Sequence, residues 1–211
     1  MKTIRTTIIL TVLLLSQNGI QAQKLRNKIE KSIAPIETTF SSIEKERSVL
    51  LDQLASRIFK EKKSNGNAGI VFIDSTNGTK SQLAAIWLKT GLIKYELNGY
   101  DIQSAGLTVV GEPLSGLTTL KDYGFKVSNH SGTKLYSYKV NFGSDNWKVY
   151  YKEPDSLENP EESLKVFVED IMSMEDDPMQ ISVPLYSPET IAREMLYVAF
   201  RIDYLTQSQK Q

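Results

Sequence analysis

Cysteine is missing from all 211 residues. That single absence excludes disulfides, thiolate metal ligands, a lipid-anchored N-terminal cysteine and any thiol nucleophile. Histidine occurs once, as His130, without a cysteine or serine placed to form a dyad, and reads as a surface-loop residue. Neither sign of charge is in excess: 25 Lys and Arg face 25 Asp and Glu, which gives no case for a nucleic-acid or polyanion partner. Long apolar runs are also lacking. The one near the start, residues 8–15, is too short to span a bilayer. It follows Lys2 and Arg5 and leads to a polar stretch ending at Ala22, the layout of a secretory signal. The chain is therefore expected to be exported, periplasmic or secreted, with residues 1–22 removed and no membrane association afterwards. Removal takes two basic residues and no acidic ones, leaving 23 against 25 and a net charge of −2.

What is present supports a packed domain, because 40% of the residues are hydrophobic and such a chain can bury a real core. The organising stretch is residues 70–88. Ile70, Val71, Phe72 and Ile73 form the continuous apolar run of a strand buried on both faces. From Leu83 the apolar residues fall at 83, 86, 87 and 93, a helical period. Between them lies the small, polar run Asp74, Ser75, Thr76, Asn77, Gly78, Thr79, Lys80, Ser81. A strand, a polar loop and a helix start aim several free backbone N–H groups at one point, and the helix dipole adds positive character there. Residues 74–81 are thus predicted to be an anion-binding loop.

Upstream, residues 23–34 suggest a loose helical lead-in stopping near Pro35. A firmer helix is expected from Ser41 to about Lys62, with Ser41 and Glu44 at capping-box spacing and Ile43, Leu50, Leu54 and Ile58 on one face. Downstream, residues 99–107 read as a second strand, and residues 111–125 as a short helix with Pro113 at its first position and Gly124 at its end. Residues 134–151 form two β-prone runs around a Gly/Asp/Asn turn, predicted as a hairpin. Its aromatics (Tyr136, Tyr138, Phe142, Trp147, Tyr150 and Tyr151) suit either cross-strand packing or a groove for a phenolic ligand. Two more strands follow, at residues 164–171 and 180–186. A last helix starts after Ser187 with Pro188 at its first position, burying Ile191, Met195, Val198 and Ile202.

These residues carry a resemblance. The segment from Ile70 to Trp87 resembles the signature loop of low-molecular-weight protein tyrosine phosphatases and the arsenate reductases that share their fold. That loop reads Cys, five residues, Arg, then Ser or Thr, after a strand and opening a helix. Here Asp74 stands at the cysteine position and Lys80 at the arginine position, while Asn77, Ser81, Leu83 and Trp87 fit the pattern. The small-residue strand end at 104–106, the short helix after it and the closing helix at 187–205 fit as well, and the likeness runs from about Phe40 to Leu205. It implies an α/β fold, a three-layer αβα sandwich with a small, mainly parallel sheet. The expected organisation is a signal at 1–22, an N-terminal helical segment at 23–65 and a phosphatase-like domain at 66–207 with an inserted β-hairpin.

The family reaction uses a thiolate, an arginine fork and an Asp-Pro general acid. Asp74 replaces the first. It can act as a carboxylate nucleophile, which would need Mg²⁺ held by further carboxylates such as Asp170, Asp176 or Asp177. Alternatively it accepts the loop's own N–H groups and plugs the cradle. Lys80 keeps the charge but loses the planar fork, and is expected to pair with Asp74. The Asp-Pro pair falls on Ser187-Pro188, where serine is a poor acid and a good helix cap; Asp177-Pro178 is the alternative general acid. The Walker-type ending at Gly78–Ser81 lacks the Gly-Lys adjacency it requires. A glycan on the sequon at Asn77 would fill the cradle, and a second sequon begins at Asn129. The leading expectation is an exported phosphatase-like protein that has lost catalysis and acts as a binding or interaction module. It uses no cofactor and no metal, and its partner is a small oxyanion or a protein. The rival is a hydrolase with Asp74 as nucleophile. A third reading makes the helical front and the aromatic hairpin a partner surface.

Overall fold

The computed structural model of the chain describes residues 24–108, 115–129, 137–170 and 179–209. Among these no helix is long and apolar enough to cross a membrane. The predicted signal, Pro113, His130, Tyr136, Asp176 and Asp177 lie outside the described residues.

The centre is a four-stranded parallel sheet in the order β2-β1-β6-β7, built from β1 (Ala68–Asp74), β2 (Tyr100–Gly106), β6 (Ser163–Phe167) and β7 (Gln180–Ser182). The apolar run of β1 explains its central place, since it buries side chains on both faces. Ile70 and Phe72 join the main core, whereas Val71 and Ile73 form a smaller cluster with Ala105, flanked by Leu157 and Phe167. The chain leaves β1 for β2 on one side and later returns to β6 on the other. The exit of β1 is therefore the point where strand order reverses, the place where open α/β sheets bind ligands.

Helix α3 (Thr79–Lys94) follows that exit. Its residues from Ser81 to Leu88 are all buried, so it is wrapped on every side, against the sheet and against α4 (Pro188–Ser208). Ser187 caps α4 as its spacing predicts: the Thr190 N–H donates to its hydroxyl at 3.3 Å, with Pro188 at the first position. Between β2 and β6 a 3₁₀ helix (Ser115–Lys121) leads into a separate antiparallel sheet of β3 (Lys126–Asn129), β4 (Tyr138–Asn141) and β5 (Asn146–Val149). The hairpin is β4 and β5, and β3 joins it as a third strand that the sequence reading does not include. Phe142 and Trp147 are buried in the main core, with the Lys89 ammonium 5.6 and 5.1 Å from their ring centres. Those two rings pack internally.

The helical front differs from expectation in three ways. Helix α1 (Asn27–Glu37) continues through Pro35 and is firmly seated by Ile29 and Ile33, both fully buried. Pro35 is the ninth of its eleven residues, so the helix forgoes there one hydrogen bond to the carbonyl four residues back. Helix α2 (Lys45–Asn65) begins four residues after Ser41, which belongs instead to a one-turn 3₁₀ helix (Phe40–Ser42). There the Ser42 hydroxyl donates back to Thr39 O at 2.7 Å, and Glu44 takes the N-cap position without a side-chain cap. The helix ends at Gly66, whose φ of 76° is the left-handed conformation glycine adopts freely. Its buried face is Leu51, Leu54, Ala55 and Ile58. One continuous apolar core joins α1 and α2 to the sheet.

A salt bridge fixes α2 on α4. Arg47 donates from Nε and Nη2 to the two oxygens of Glu194, at 2.8 and 2.5 Å, and from Nη2 to Pro184 O at 2.8 Å. The Glu194 side chain is 3% exposed and that of Arg47 18%.

Candidate anion-binding loop

Asp74 is the last residue of β1, opposite Gly106 of β2. Its carboxylate turns back into the loop that follows. Oδ1 accepts the N–H of Thr76 at 3.2 Å and of Gly78 at 2.9 Å; Oδ2 accepts the N–H of Gly78 at 3.1 Å and of Ser81 at 3.0 Å. The residue is 2% exposed. Three backbone donors thus converge on one carboxylate, one of them from the first turn of α3, where N–H groups have no partner within the helix.

Asn77 holds the loop in shape. Its φ of 55° is left-handed, which asparagine tolerates better than most residues. Its buried amide donates to Ser81 Oγ at 3.2 Å, while its carbonyl oxygen accepts from Gln82 Nε2 at 2.9 Å and from the Lys152 N–H at 2.9 Å. Gln82 Nε2 also donates to Tyr150 O at 3.3 Å. The segment after β5 therefore acts as a strap across the loop, anchored by the Gly106 N–H donating to Lys152 O at 2.8 Å. Gly106 is required here, because any side chain would collide with the backbone of Thr76 and Asn77. Thr79 packs in the same way against Gly116.

Lys80 does not pair with Asp74. Its ammonium lies 3.4 Å from Oε1 of Glu169, two residues beyond the end of β6. Oε2 of the same carboxylate accepts the Ser75 N–H at 2.9 Å. The reason is geometric: the Asp74 oxygens point inward to the amides, while Lys80 extends toward solvent with 36% of its side chain exposed. Burial pushes the Glu169 pKa up, but the Ser75 backbone and hydroxyl donors and the Lys80 charge outweigh it, so the group titrates below its ordinary value of 4.5. Sequence reasoning missed Glu169. Its only signal was its position at the end of a strand that neighbours β1.

The other expected participants stand elsewhere. The Ser187 hydroxyl is engaged by Thr190, and the alternative acid Asp177 lies outside the described residues. Among the described residues no three Asp, Glu or His side chains lie close enough to share a metal ion.

No protein-family model matches the sequence, and no curated protein is significantly similar to it. Solved structures do show similarity. One is a low-molecular-weight phosphotyrosine phosphatase from Vibrio cholerae O395, 17% identical, with a TM-score of 0.39 over 69% of this chain and 98% of that one. Another is a thioredoxin-dependent arsenate reductase from Corynebacterium glutamicum, 17% identical, with a TM-score of 0.37 over 87% of this chain and 97% of that one.

Proposed function

We propose that the chain is an exported protein of phosphatase-like fold that performs neither phosphatase nor arsenate-reductase chemistry and serves as a binding or interaction module. The observation that carries this reading is the seating of Asp74. A carboxylate whose oxygens accept the Thr76, Gly78 and Ser81 N–H groups occupies the position an oxyanion would take. It is also a poor nucleophile, because attack on phosphorus needs an oxygen freed of those donors and relieved of the repulsion between two anions. Two further features point the same way. The chain has no cysteine, and Lys80 offers one ammonium already paired with Glu169 where a guanidinium fork would grip two oxygens. Export rests on Lys2, Arg5 and the apolar run at residues 8–15.

The test is turnover of aryl phosphates by the mature chain, with and without Mg²⁺. No release of phenolate above the uncatalysed rate is expected under either condition. Turnover that disappears in Asp74→Asn would instead identify an aspartyl nucleophile and overturn the proposal.

A further inference from the structure

We infer that the Asn98-Gly99 pair, in the turn between α3 and β2, is a self-modifying site: the folded chain converts Asn98 to aspartate and isoaspartate through a succinimide, with water as the only co-reactant. The chemistry is intramolecular. The Gly99 backbone nitrogen bonds to Cγ of Asn98 and gives up its proton, the Cγ–Nδ2 bond breaks, and ammonia leaves with that proton. Water then opens the ring at either carbonyl, so an amide becomes an acid and nothing is oxidised or reduced. Glycine in second place leaves the backbone free to turn and puts no Cβ in the way.

Among the described residues three asparagines precede a glycine, and the fold treats them differently. Asn77 is fully buried. Its amide is held by Ser81, Gln82 and Lys152, and the Gly78 N–H donates to Asp74, so both reacting groups are tied. Asn65 is exposed, but the Gly66 N–H closes the end of α2 on Lys62 O at 3.0 Å, and the Asn65 amide donates to Glu61 Oε2 at 3.2 Å. Cyclisation there has to undo the helix cap. Asn98 is exposed too, and its Nδ2 donates to Glu96 O at 3.3 Å, a long contact that is easily given up. Among the described residues nothing accepts the Gly99 N–H.

A neighbouring cation favours the same position. Gly99 has a φ of 82°, and a side chain there would run into the Lys62 ammonium, which also donates to Gly66 O. That positive charge therefore lies against the Gly99 backbone. It stabilises the negative charge that develops as the nitrogen loses its proton and the Cγ oxygen takes up an electron pair. The turn also bears on the sheet, because Gly99 O accepts the Ala68 N–H at 3.0 Å where the β1–β2 ladder opens. Isoaspartate carries the main chain through its side-chain carbon, which inserts an extra backbone atom before Gly99 and displaces that carbonyl.

The test holds the purified, folded chain at mildly alkaline pH in water labelled in its oxygen. Peptides spanning the three pairs are then followed by mass spectrometry that separates aspartate from isoaspartate. Asn98 should take up label first. Freeing the Gly66 N–H costs a hydrogen bond, so Asn65 should lag behind Asn98 by about fivefold or more. Asn77 should stay unmodified while the chain is folded, and in urea all three should react at similar rates. Asn98→Gln, with a longer side chain that closes a larger ring, should abolish the reaction at this position and leave Asn65 unchanged. Amide exchange at Ala68 should be faster in the isoaspartyl fraction than in Asn98→Asp, which carries the new charge on an unaltered backbone. Equal rates at the three pairs in the folded chain, Asn65 or Asn77 ahead of Asn98, or reaction at Asn98 only in urea would each overturn the inference.

Discussion

Replacing Asp74 by alanine tests the central contact directly, because it removes the internal anion and leaves the amides that surround it. The N–H groups of Thr76, Gly78 and Ser81 would lose their acceptor together. Hydrogen bonds to a charged group are worth about 1.5–3 kcal/mol each, so the gross loss is on the order of 6 kcal/mol. Water entering the vacated space restores part of this, since it can accept from the same donors, which leaves a net destabilisation of about 3 kcal/mol. For a domain of this size the melting temperature should fall by about 6–12 °C. The informative step is adding sulfate or phosphate. An anion that enters the emptied cradle stabilises the variant through linkage, by about 2.7 kcal/mol once its concentration reaches a hundred times its dissociation constant. Thermal unfolding of wild type and Asp74→Ala over a phosphate series at constant ionic strength should show a steep rise in the variant and a shallower one in the wild type. If the variant melts like the wild type, the Asp74 contacts are energetically idle. If it melts lower but phosphate raises both proteins equally, the amides do not form an anion site.

Two other outcomes follow from particular contacts. Arg47→Ala strands Glu194 in the interior and should cost about 3–5 kcal/mol, read as a lowered midpoint in urea, whereas replacing both partners with apolar residues should recover most of the loss. Glu169 titrates below its ordinary value of 4.5, so its contribution to stability is complete above that pH and is lost as pH falls through the lower folded-state value; the stability difference between wild type and Glu169→Gln should therefore hold at neutral pH and shrink as pH falls below about 4.5, and a constant difference would refute the ion pair.

The parts of this molecule that could be read from its sequence are those whose causes are local. Residues 70–88 combine a continuous apolar run, a glycine-containing polar turn and a helical period, and each signal acts within a few residues of itself. The Asp74 contacts span separations of two, four and seven residues, so the loop's spacing already limits which amides that carboxylate reaches. The start of α4 is legible for the same reason, as Ser187 and Pro188 act on the first turn beside them. Glu169 is not local. It lies 94 residues from Ser75 and arrives only because β6 pairs with β1, so nothing in the loop's own sequence reveals which acid meets Lys80. The start of α2 departs from its expected place by a related effect. Ser41 and Glu44 have the spacing of a capping box, but Thr38, Thr39 and Ser42 each donate a hydroxyl to the backbone three residues back, and such bonds favour a tight turn over a helix start. Strand β3, short and largely exposed, has neither alternation nor an apolar run to mark it.

The residues at positions 74 and 80 are physically linked. Amides converging at a helix start favour a negative charge, which a ligand or the chain itself can supply. A carboxylate at position 74 supplies it internally, because its two oxygens reach Thr76, Gly78 and Ser81. Once that need is met from within, a guanidinium fork has no bound oxyanion to grip, and a single ammonium at position 80 suffices to hold Glu169 at the rim. An arginine at position 80 would set a fork competing for the carboxylate that the amides already hold. A double-mutant cycle on positions 74 and 80 should therefore give a coupling between them, although the two side chains make no direct pair.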